Sequence, residues 1–439
     1  MRELNQAMEW LNQYHSKEPR LGLSRVRALA KLVGNPELKS KVIHVAGTNG
    51  KGSTVSFLSN LLQALGLRVG VFSSPYITQY EEQFMINGQP MAHQTLIEYV
   101  TKYKTIFETY ADIADIKGLT EFELITVLAY DYFANEAVDV VIMEVGLGGK
   151  EDSTNICQPI LTGITTIGLD HVDILGHSLA TVAEQKAGII KAQAPLVTGR
   201  IELEALDVIK AIAQTQQVEH YQFLQDYQGE YLVSDDIHHT RFNYWSGTLS
   251  DTNFSIPLVG KHQVDNASMA IQLFEVFCLM EGLTYNPVII QTGLSQTTWP
   301  ARLEIISKNP LIIIDGAHNP HAMARLIENM NTIYGNYQKD ILFTCIRTKD
   351  IESMVQEFSQ MQPETLTMTT FEHENAFSIE ELRDRDYSEV CFEESWKHFL
   401  NEYLDRNSNK NRLLLVTGSL YFLSQVRPYL IQQLNKETE

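Results

Sequence analysis

The sequence predicts an α/β protein: a large, mostly parallel sheet with a small antiparallel β portion, followed by a second, smaller α/β domain. Three observations carry this reading. Short β-rich runs alternate with longer amphipathic segments, as in parallel sheets with crossover helices. Between Glu219 and Pro257, aromatic and β-branched residues alternate with polar ones, interrupted by Asp235-Asp236 and Ser246-Gly247, which reads as short antiparallel strands. After a polar, turn-forming stretch at 293–300, GLSQTTWP, the strand–helix alternation restarts.

In chain order, the periodicity predicts helices over 3–14 and 24–32, a buried strand at 42–46 and a helix over 51–65 ended by Gly66. A strand at 68–72, helices over 94–110 and 121–135, strands at 138–143 and 161–167, and a helix over 180–191 follow. Helix returns at 262–280 after the antiparallel region. The second domain is expected to hold strand 311–314, helix 320–334 and strand 341–345, and to end with strand 413–416 and a helix from Leu420. The domains are accordingly placed at 1–296 and 299–439.

A chain of 439 residues, 44% hydrophobic, has the material for two or three such units. With 34 basic against 54 acidic residues the formal charge is -20, which argues against a nucleic-acid backbone or an anionic membrane as partner. It leaves room for small anionic substrates at a locally positive site. The first residues contain no apolar run of signal-peptide type, and no run elsewhere approaches the ~20 residues of a membrane helix. Cys157, Cys278, Cys345 and Cys391 are far apart and form no CxxC pair, so they read as reduced thiols and the protein as cytoplasmic.

The sharpest motif is the run VIHVAGTNGKGSTV from Val42 to Val55. An apolar strand enters Gly47-Thr48-Asn49-Gly50-Lys51-Gly52-Ser53-Thr54, and a helical pattern leaves it. Glycines let the backbone aim successive N–H groups at a phosphate, and the helix N-terminus adds partial positive charge. Lys51 is placed to meet the outer phosphates of a nucleotide, and Ser53 or Thr54 to offer a hydroxyl to Mg²⁺. The spacing departs from G-x-x-x-x-G-K-[ST]: the first glycine is two residues closer, and Gly52 separates the lysine from the serine. Glu144 ends an apolar strand beside Gly146, Gly148 and Gly149, a carboxylate at the edge where open α/β sheets bind ligands and a hard donor suited to Mg²⁺.

GTNGKGST resembles the nucleotide loop of the Mur ligase superfamily, and the wording around it is similar to the folylpolyglutamate synthase and dihydrofolate synthase family, lactobacillus-type members above all. The match runs through IHVAGTNGKGST (43–54), SSP (73–75), TEFELIT (120–126), EVGLGG (144–149) and DSTN (152–155). It continues in LDH (169–171), EQKAGIIK (184–191), LVGKHQVDNASMAI (258–271), WPARLE (299–304), DGAHNP (315–320) and VTGSLY (416–421). The resemblance implies a P-loop Mur-ligase-type N-terminal domain and a smaller α/β C-terminal domain. It implies nucleotide binding by Gly47, Thr48, Asn49, Gly50, Lys51, Gly52 and Ser53, with Asn266, Arg302, Asp315 and His318. It further implies that Ser53, Ser74, Glu144 and His171 hold two Mg²⁺ ions, that Lys186 is carbamylated, and that Lys51, Glu144, His171 and Lys186 carry the catalysis.

Blander readings stand beside these. A helix lysine such as Lys186 is usually solvated, His171 reads by itself as a loop histidine, and Asp315 as an Asx-type helix cap. Imidazole is an atypical Mg²⁺ ligand. The chain also departs from the family pattern. Tyr76 stands where many members have histidine, Gln83 where many have arginine, and Lys150 where arginine is usual; Thr348-Lys349-Asp350 replaces DKD. Tyr76 and Gln83 lie where the pterin substrate is expected.

The reaction so implied is ATP-dependent addition of L-glutamate to a folate through an acyl phosphate, by a monomer, with polyglutamate extension as the main activity and dihydrofolate synthesis weak or absent. A bifunctional enzyme making dihydrofolate as well is the alternative. A peptidoglycan-precursor ligase, a P-loop motor ATPase and a silent folate binder are the rivals. The order of motifs and the intact Lys51, Glu144, His171 and Lys186 speak against them.

Overall fold

The computed structural model describes residues 2–16, 20–110, 116–234, 236–385, 387, 389–406 and 411–436. Asp235, inside the region read as antiparallel strands, lies outside the described residues. Among the described residues the strands form three sheets.

The first sheet holds β1 (Val42–Ala46), β2 (Val69–Phe72), β3 (Phe84–Ile86), β4 (Gln89–Pro90), β5 (Val140–Glu144), β6 (Leu161–Ile164), β7 (Leu196–Thr198) and β8 (His220–Gln222). Their order is β4-β3-β2-β5-β1-β6-β7-β8, parallel except for β3 and β4 at one edge. β1 and β5 are buried at every residue because helices cover both faces. Ile43, Val45, Val140 and Ile142 pack on one face against the helices Lys51–Ala64 and Lys261–Glu281. Val42, Val141 and Met143 pack on the other against the helix Glu121–Asn135, as the two-residue period requires. That helix starts with a capping box: Thr120 Oγ1 accepts from the Glu123 N–H, and Glu123 Oε2 accepts from the Thr120 N–H at 2.7 Å. Arg25, on the helix Ser24–Leu32, donates to Glu123 at 3.0 Å and ties the two helices together.

β9 (Tyr227–Leu232), β10 (Thr240–Ser246) and β11 (Thr252–Ile256) form a separate antiparallel sheet. It is fastened to the helix Lys261–Glu281 by Glu275, a buried carboxylate that accepts from the hydroxyls of Tyr244 (2.9 Å), Ser246 (3.1 Å) and Tyr285 (2.9 Å). The third sheet takes β12 (Glu304–Lys308), β13 (Leu311–Asp315), β14 (Gln338–Phe343), β15 (Thr365–Thr369), β16 (Val390–Glu393) and β17 (Arg412–Thr417) in the order β12-β13-β17-β14-β15-β16. Only β12 runs antiparallel, at the edge.

The structure alters the sequence reading in places. His220–Gln222 joins the main sheet in parallel rather than the antiparallel portion. The helix expected over 180–191 is Leu179–Ala187 and stops at Gly188. The stretch 293–300 is not all linker, since the helix Pro287–Ser295 runs into it, started by Asn286 as cap and Pro287 in its first turn.

Candidate active site

β5, β1 and β6 lie side by side and parallel, so their carboxyl ends open on one edge of the sheet. Three glycines there are demanded by close approach. A Cβ on Gly47 would lie 1.8 Å from Thr165 Oγ1, one on Gly50 2.3 Å from Asn266 Oδ1, and one on Gly52 2.5 Å from the Trp299 ring. Gly47 and Gly50 also hold φ of 152° and 83°. The residues after β6 brace the loop: Thr165 Oγ1 donates to the Asn49 carbonyl (2.7 Å), and the Asn49 N–H donates to Thr166 Oγ1 (3.0 Å). The helix Lys51–Ala64 starts directly after Gly50 with Ser53 buried in its first turn, so its unpaired N–H groups face the mouth of the loop.

Lys51 folds back, its ammonium donating to the carbonyls of Gly47 (3.0 Å) and Thr48 (3.2 Å). Lys186, buried on the helix Leu179–Ala187, donates to the same Gly47 carbonyl at 2.9 Å. Burial, reinforced by the Lys51 charge, lowers the Lys186 pKa to about 7; Asp170 and Asp152 pull the other way. Glu144 closes the opposite side from the end of β5. Its Oε2 is buried without a hydrogen-bond partner among the described residues. Burial pushes its carboxyl up to about 7, opposed by Lys51 and Arg302.

Among the described residues no three His, Cys, Asp or Glu side chains converge as a metal cage. Mg²⁺ seldom needs one, since it takes one or two carboxylates and completes its shell with water and substrate phosphates. A lone buried carboxylate oxygen without a partner, beside a phosphate-type loop, fits such an ion.

His171 stands at the start of the short helix Val172–Leu175 with φ 49°, its side chain 49% exposed. Burial of the rest of the ring lowers its pKa against the pull of Asp170, while Lys349, Lys51 and Lys186 lower it further. Asp170 joins the two halves of the molecule, accepting from Lys349 Nζ (3.3 Å) and Asn319 Nδ2 (3.1 Å). Asn319 also caps the helix Pro320–Thr332 through the Ala322 N–H and donates to Asn49 Oδ1 at 3.3 Å, so that helix begins against the loop. Asp315, at the end of β13, accepts from the N–H groups of Leu303 and Ala317, both at 2.9 Å; the helix cap itself is Asn319. Burial raises the Asp315 pKa, opposed by Arg302. His318 Nδ1 lies 2.7 Å from the Gly316 carbonyl, which puts its proton on Nδ1 and leaves Nε2 an acceptor. Burial drives its pKa down to about 4.

The structure therefore gathers Gly47 to Ser53, Glu144, His171 and Lys186, places Asn266 beside Gly50, and brings Arg302, Asp315 and His318 from the second half. Ser74 follows β2, one strand beyond β5. Tyr76 is exposed and meets Tyr80 with ring centroids 5.5 Å apart. Gln83 is buried; its amide donates to the Tyr80 carbonyl at 3.3 Å, and its side chain also reaches the Tyr80 hydroxyl. Sequence reasoning missed Thr165, Thr166, Asp170, Asn319 and Lys349 as site residues. Their signal was faint: Asp170 counted only as the neighbour of His171 in LDH, Asn319 only as part of the helix start in DGAHNP, and Lys349 only as part of a departure.

A phosphate-type loop at the carboxyl edge of one sheet, faced by the first helix of a second α/β unit, is the arrangement of an ATP-dependent Mur-type ligase. Residues 45–274 match the Mur ligase middle domain, and residues 301–420 the Mur ligase glutamate ligase domain. The dihydrofolate synthase/folylpolyglutamate synthase of Bacillus subtilis (strain 168) is 33% identical over 429 residues, 96% of this chain and 97% of that one. The folylpolyglutamate synthase of Lacticaseibacillus casei is 34% identical over 417 residues, 93% and 94% of the two chains. A solved FPGS–AMPPCP–folate complex superposes with a TM-score of 0.83 at 32% identity, covering 98% of this chain and 99% of its own. The chain belongs to the folylpolyglutamate synthase/dihydrofolate synthase family of Mur ligases.

Proposed function

We propose that this ligase adds L-glutamate to the γ-carboxylate of tetrahydrofolate (poly)glutamates. The observation that carries the reading is the pair of lysines on the Gly47 carbonyl opposite the unpartnered Glu144 oxygen. The folate carboxylate attacks the γ-phosphorus of ATP, ADP leaves, and an acyl phosphate forms. The amine of glutamate then attacks the acyl carbon, loses a proton and expels phosphate. Lys51 swings from its backbone carbonyls to the transferring phosphoryl group. Arg302, Asp315 and His318 hold the nucleotide from the side of the second unit, and Asn266 holds it from the first, beside Gly50. Closure of the two units keeps water from the acyl phosphate. Two Mg²⁺ ions, held by Ser53, Ser74, Glu144 and His171, would offset phosphate charge and polarise the phosphoryl oxygens. Lys186 acts as a carbamate: its depressed pKa supplies the neutral amine that CO₂ requires, and the resulting anion removes the repulsion with Lys51.

The division at 1–296 and 299–439 is supported by the sheets: the first two draw their strands from before Gln296, the third from Glu304 onward. A monomer working in the cytoplasm completes the reading, and the unpaired cysteines are compatible with it. ATP consumption measured with folate and with glutamate omitted in turn tests the reaction, and turnover independent of either substrate overturns it.

Polyglutamate extension is taken as the main activity because Tyr76 stands where other members have a cation. The hydrogen bond that engages the Gln83 amide with the Tyr80 carbonyl weakens the second residue's part in that argument. It favours, as a second reading, an enzyme that makes dihydrofolate too. Comparable kcat/KM on dihydropteroate and on tetrahydrofolate monoglutamate would decide for the bifunctional enzyme.

A further inference from the structure

Behind the site runs a buried chain of hydrogen bonds. His44, in the middle of β1, is wholly buried. Its Nε2 lies 2.8 Å from Thr154 Oγ1, and its Nδ1 faces Cys157 Sγ at 3.9 Å. Thr154 Oγ1 lies 2.5 Å from Asp152 Oδ1, which also accepts from the Thr154 N–H at 2.9 Å. Asp152 Oδ2 accepts from the Leu147 N–H at 2.8 Å. Tyr130, whose hydroxyl also faces Cys157, donates to the Thr154 carbonyl at 2.7 Å. The chain ends on the segment that leaves Glu144. That segment is held at Leu147 by Asp152 and at Lys150 by its N–H, which donates to the Gln185 carbonyl at 2.7 Å. Between these points a Cβ on Gly149 would come 3.0 Å from Lys186 Cα.

Thr154 has one hydroxyl proton, so its two side-chain contacts have a direction. Burial raises the Asp152 pKa, but the N–H groups of Leu147 and Thr154 and the Thr154 hydroxyl bond to its carboxylate form, which can only accept, and the threonine proton goes to it. Thr154 must then accept from His44, which puts the imidazole proton on Nε2 and leaves Nδ1 an acceptor facing the thiol. Burial keeps the ring neutral, lowering its pKa to about 3, and holds the proton on Cys157, raising its pKa to about 11. The reversed order would need a protonated Asp152 and an Nδ1–H ring.

We propose that His44 is a positioning residue for the ligase reaction: as the Nε2–H tautomer it locks the Thr154 hydroxyl onto Asp152 and so keeps the segment from Glu144 to Lys150 in register with Lys186. This rests on the roles given above to Glu144 and Lys186, but the tautomer can be measured without them. In full-length protein labelled with ¹⁵N-histidine, long-range ¹⁵N–¹H spectra, with His44 assigned from His44→Gln, are expected to place its proton on Nε2 throughout pH 5–8. A proton on Nδ1, or a charged ring in that range, overturns the proposal. In steady-state assays His44→Gln, whose amide can still donate to Thr154, is expected to keep kcat within about fivefold. His44→Leu loses about a hundredfold with the KM for ATP nearly unchanged. Equal loss in the two variants at equal melting temperature overturns it. Should His44→Leu fail to fold, Thr154→Val takes its place, with the same fall in kcat expected, and wild-type kcat in that variant overturns the proposal. Absence of any folate-dependent turnover in the wild type would sink the functional reading and leave the tautomer result standing.

Discussion

Lys51 and Lys186 donate to one carbonyl, an arrangement two full cations would resist; Glu144, at the end of the neighbouring strand, has an oxygen with no hydrogen-bond partner among the described residues. At this scale burial tunes Lys186 and Glu144, and the predictions concern charge. Lys51→Ala should lower kcat by about 10²–10³-fold or more, the usual scale for losing one transition-state donor, with the melting temperature unchanged. Near-normal turnover would remove the phosphate-loop role. Lys186→Ala should be nearly inactive and partly restored by small carboxylic acids. Because carbamate formation needs the neutral amine, and burial sets its pKa to about 7, wild-type activity should rise with bicarbonate and fall as pH drops through 7. A high-resolution map with a plain ammonium in fully active enzyme would end the carbamate idea. For Glu144, protons compete with the metal below its raised pKa of about 7, so the Mg²⁺ concentration for half-activity should climb between pH 8 and pH 6. A flat Mg²⁺ requirement would place the ion elsewhere.

At the scale of elements, the site depends on how one helix begins. Asn319 satisfies the first turn of the helix Pro320–Thr332 with its oxygen and reaches Asp170 and Asn49 with its amide nitrogen. Asn319→Asp separates the two jobs. A carboxylate still caps the helix, so stability should stay within about 0.5 kcal/mol. It also faces Asp170, 3.1 Å from the present nitrogen, with like charge, and kcat/KM for ATP should fall by about tenfold or more. Unchanged kinetics at unchanged stability would mean that the cap is all Asn319 provides.

Across the whole molecule, the two halves also meet at His262, at the start of the helix Lys261–Glu281. Its Nδ1 accepts from Asn329 Nδ2 of the opposite half at 3.1 Å, and Asn329 Oδ1 accepts from the Lys261 N–H. Burial and the neighbouring Arg325 and Arg302 charges drive its pKa to about 3, so the folded state refuses a proton that the unfolded chain binds below about 6.5. The unfolded state then holds more protons, and stability is lost as pH falls from 6.5 toward 3. Between pH 6.5 and 5 that amounts to about 1.6 kcal/mol for this one residue. Denaturant titrations should show wild type losing that much more than His262→Gln over the interval, and parallel pH profiles would refute the assignment.

Much of this was legible along the chain because the chemistry is local. Glycine spacing, a strand before it and a helix after it define the loop from Gly47 to Ser53, and the alternating runs define the α/β class. The same holds for Glu144 at a strand end and Pro320 at a helix start. Other features depend on partners distant in sequence. Gln83 carried the reading of a substrate contact, and in the fold its amide bonds to Tyr80, because a buried amide must bond to what surrounds it. The antiparallel reading of 220–222 failed because strand direction is set by the neighbour, here β7, and not by local alternation. Lys349 and Asp170 meet only when two separately patterned units dock, and Lys186 acquires its lowered pKa only where its amine is buried against Gly47. Residue types and their order thus determined the family, the fold class and the loop. Burial and pairing decided which carboxylate oxygen is left without a hydrogen bond among the described residues and which lysine has its pKa lowered, because desolvation and hydrogen-bond direction belong to the packed chain and not to any segment of it.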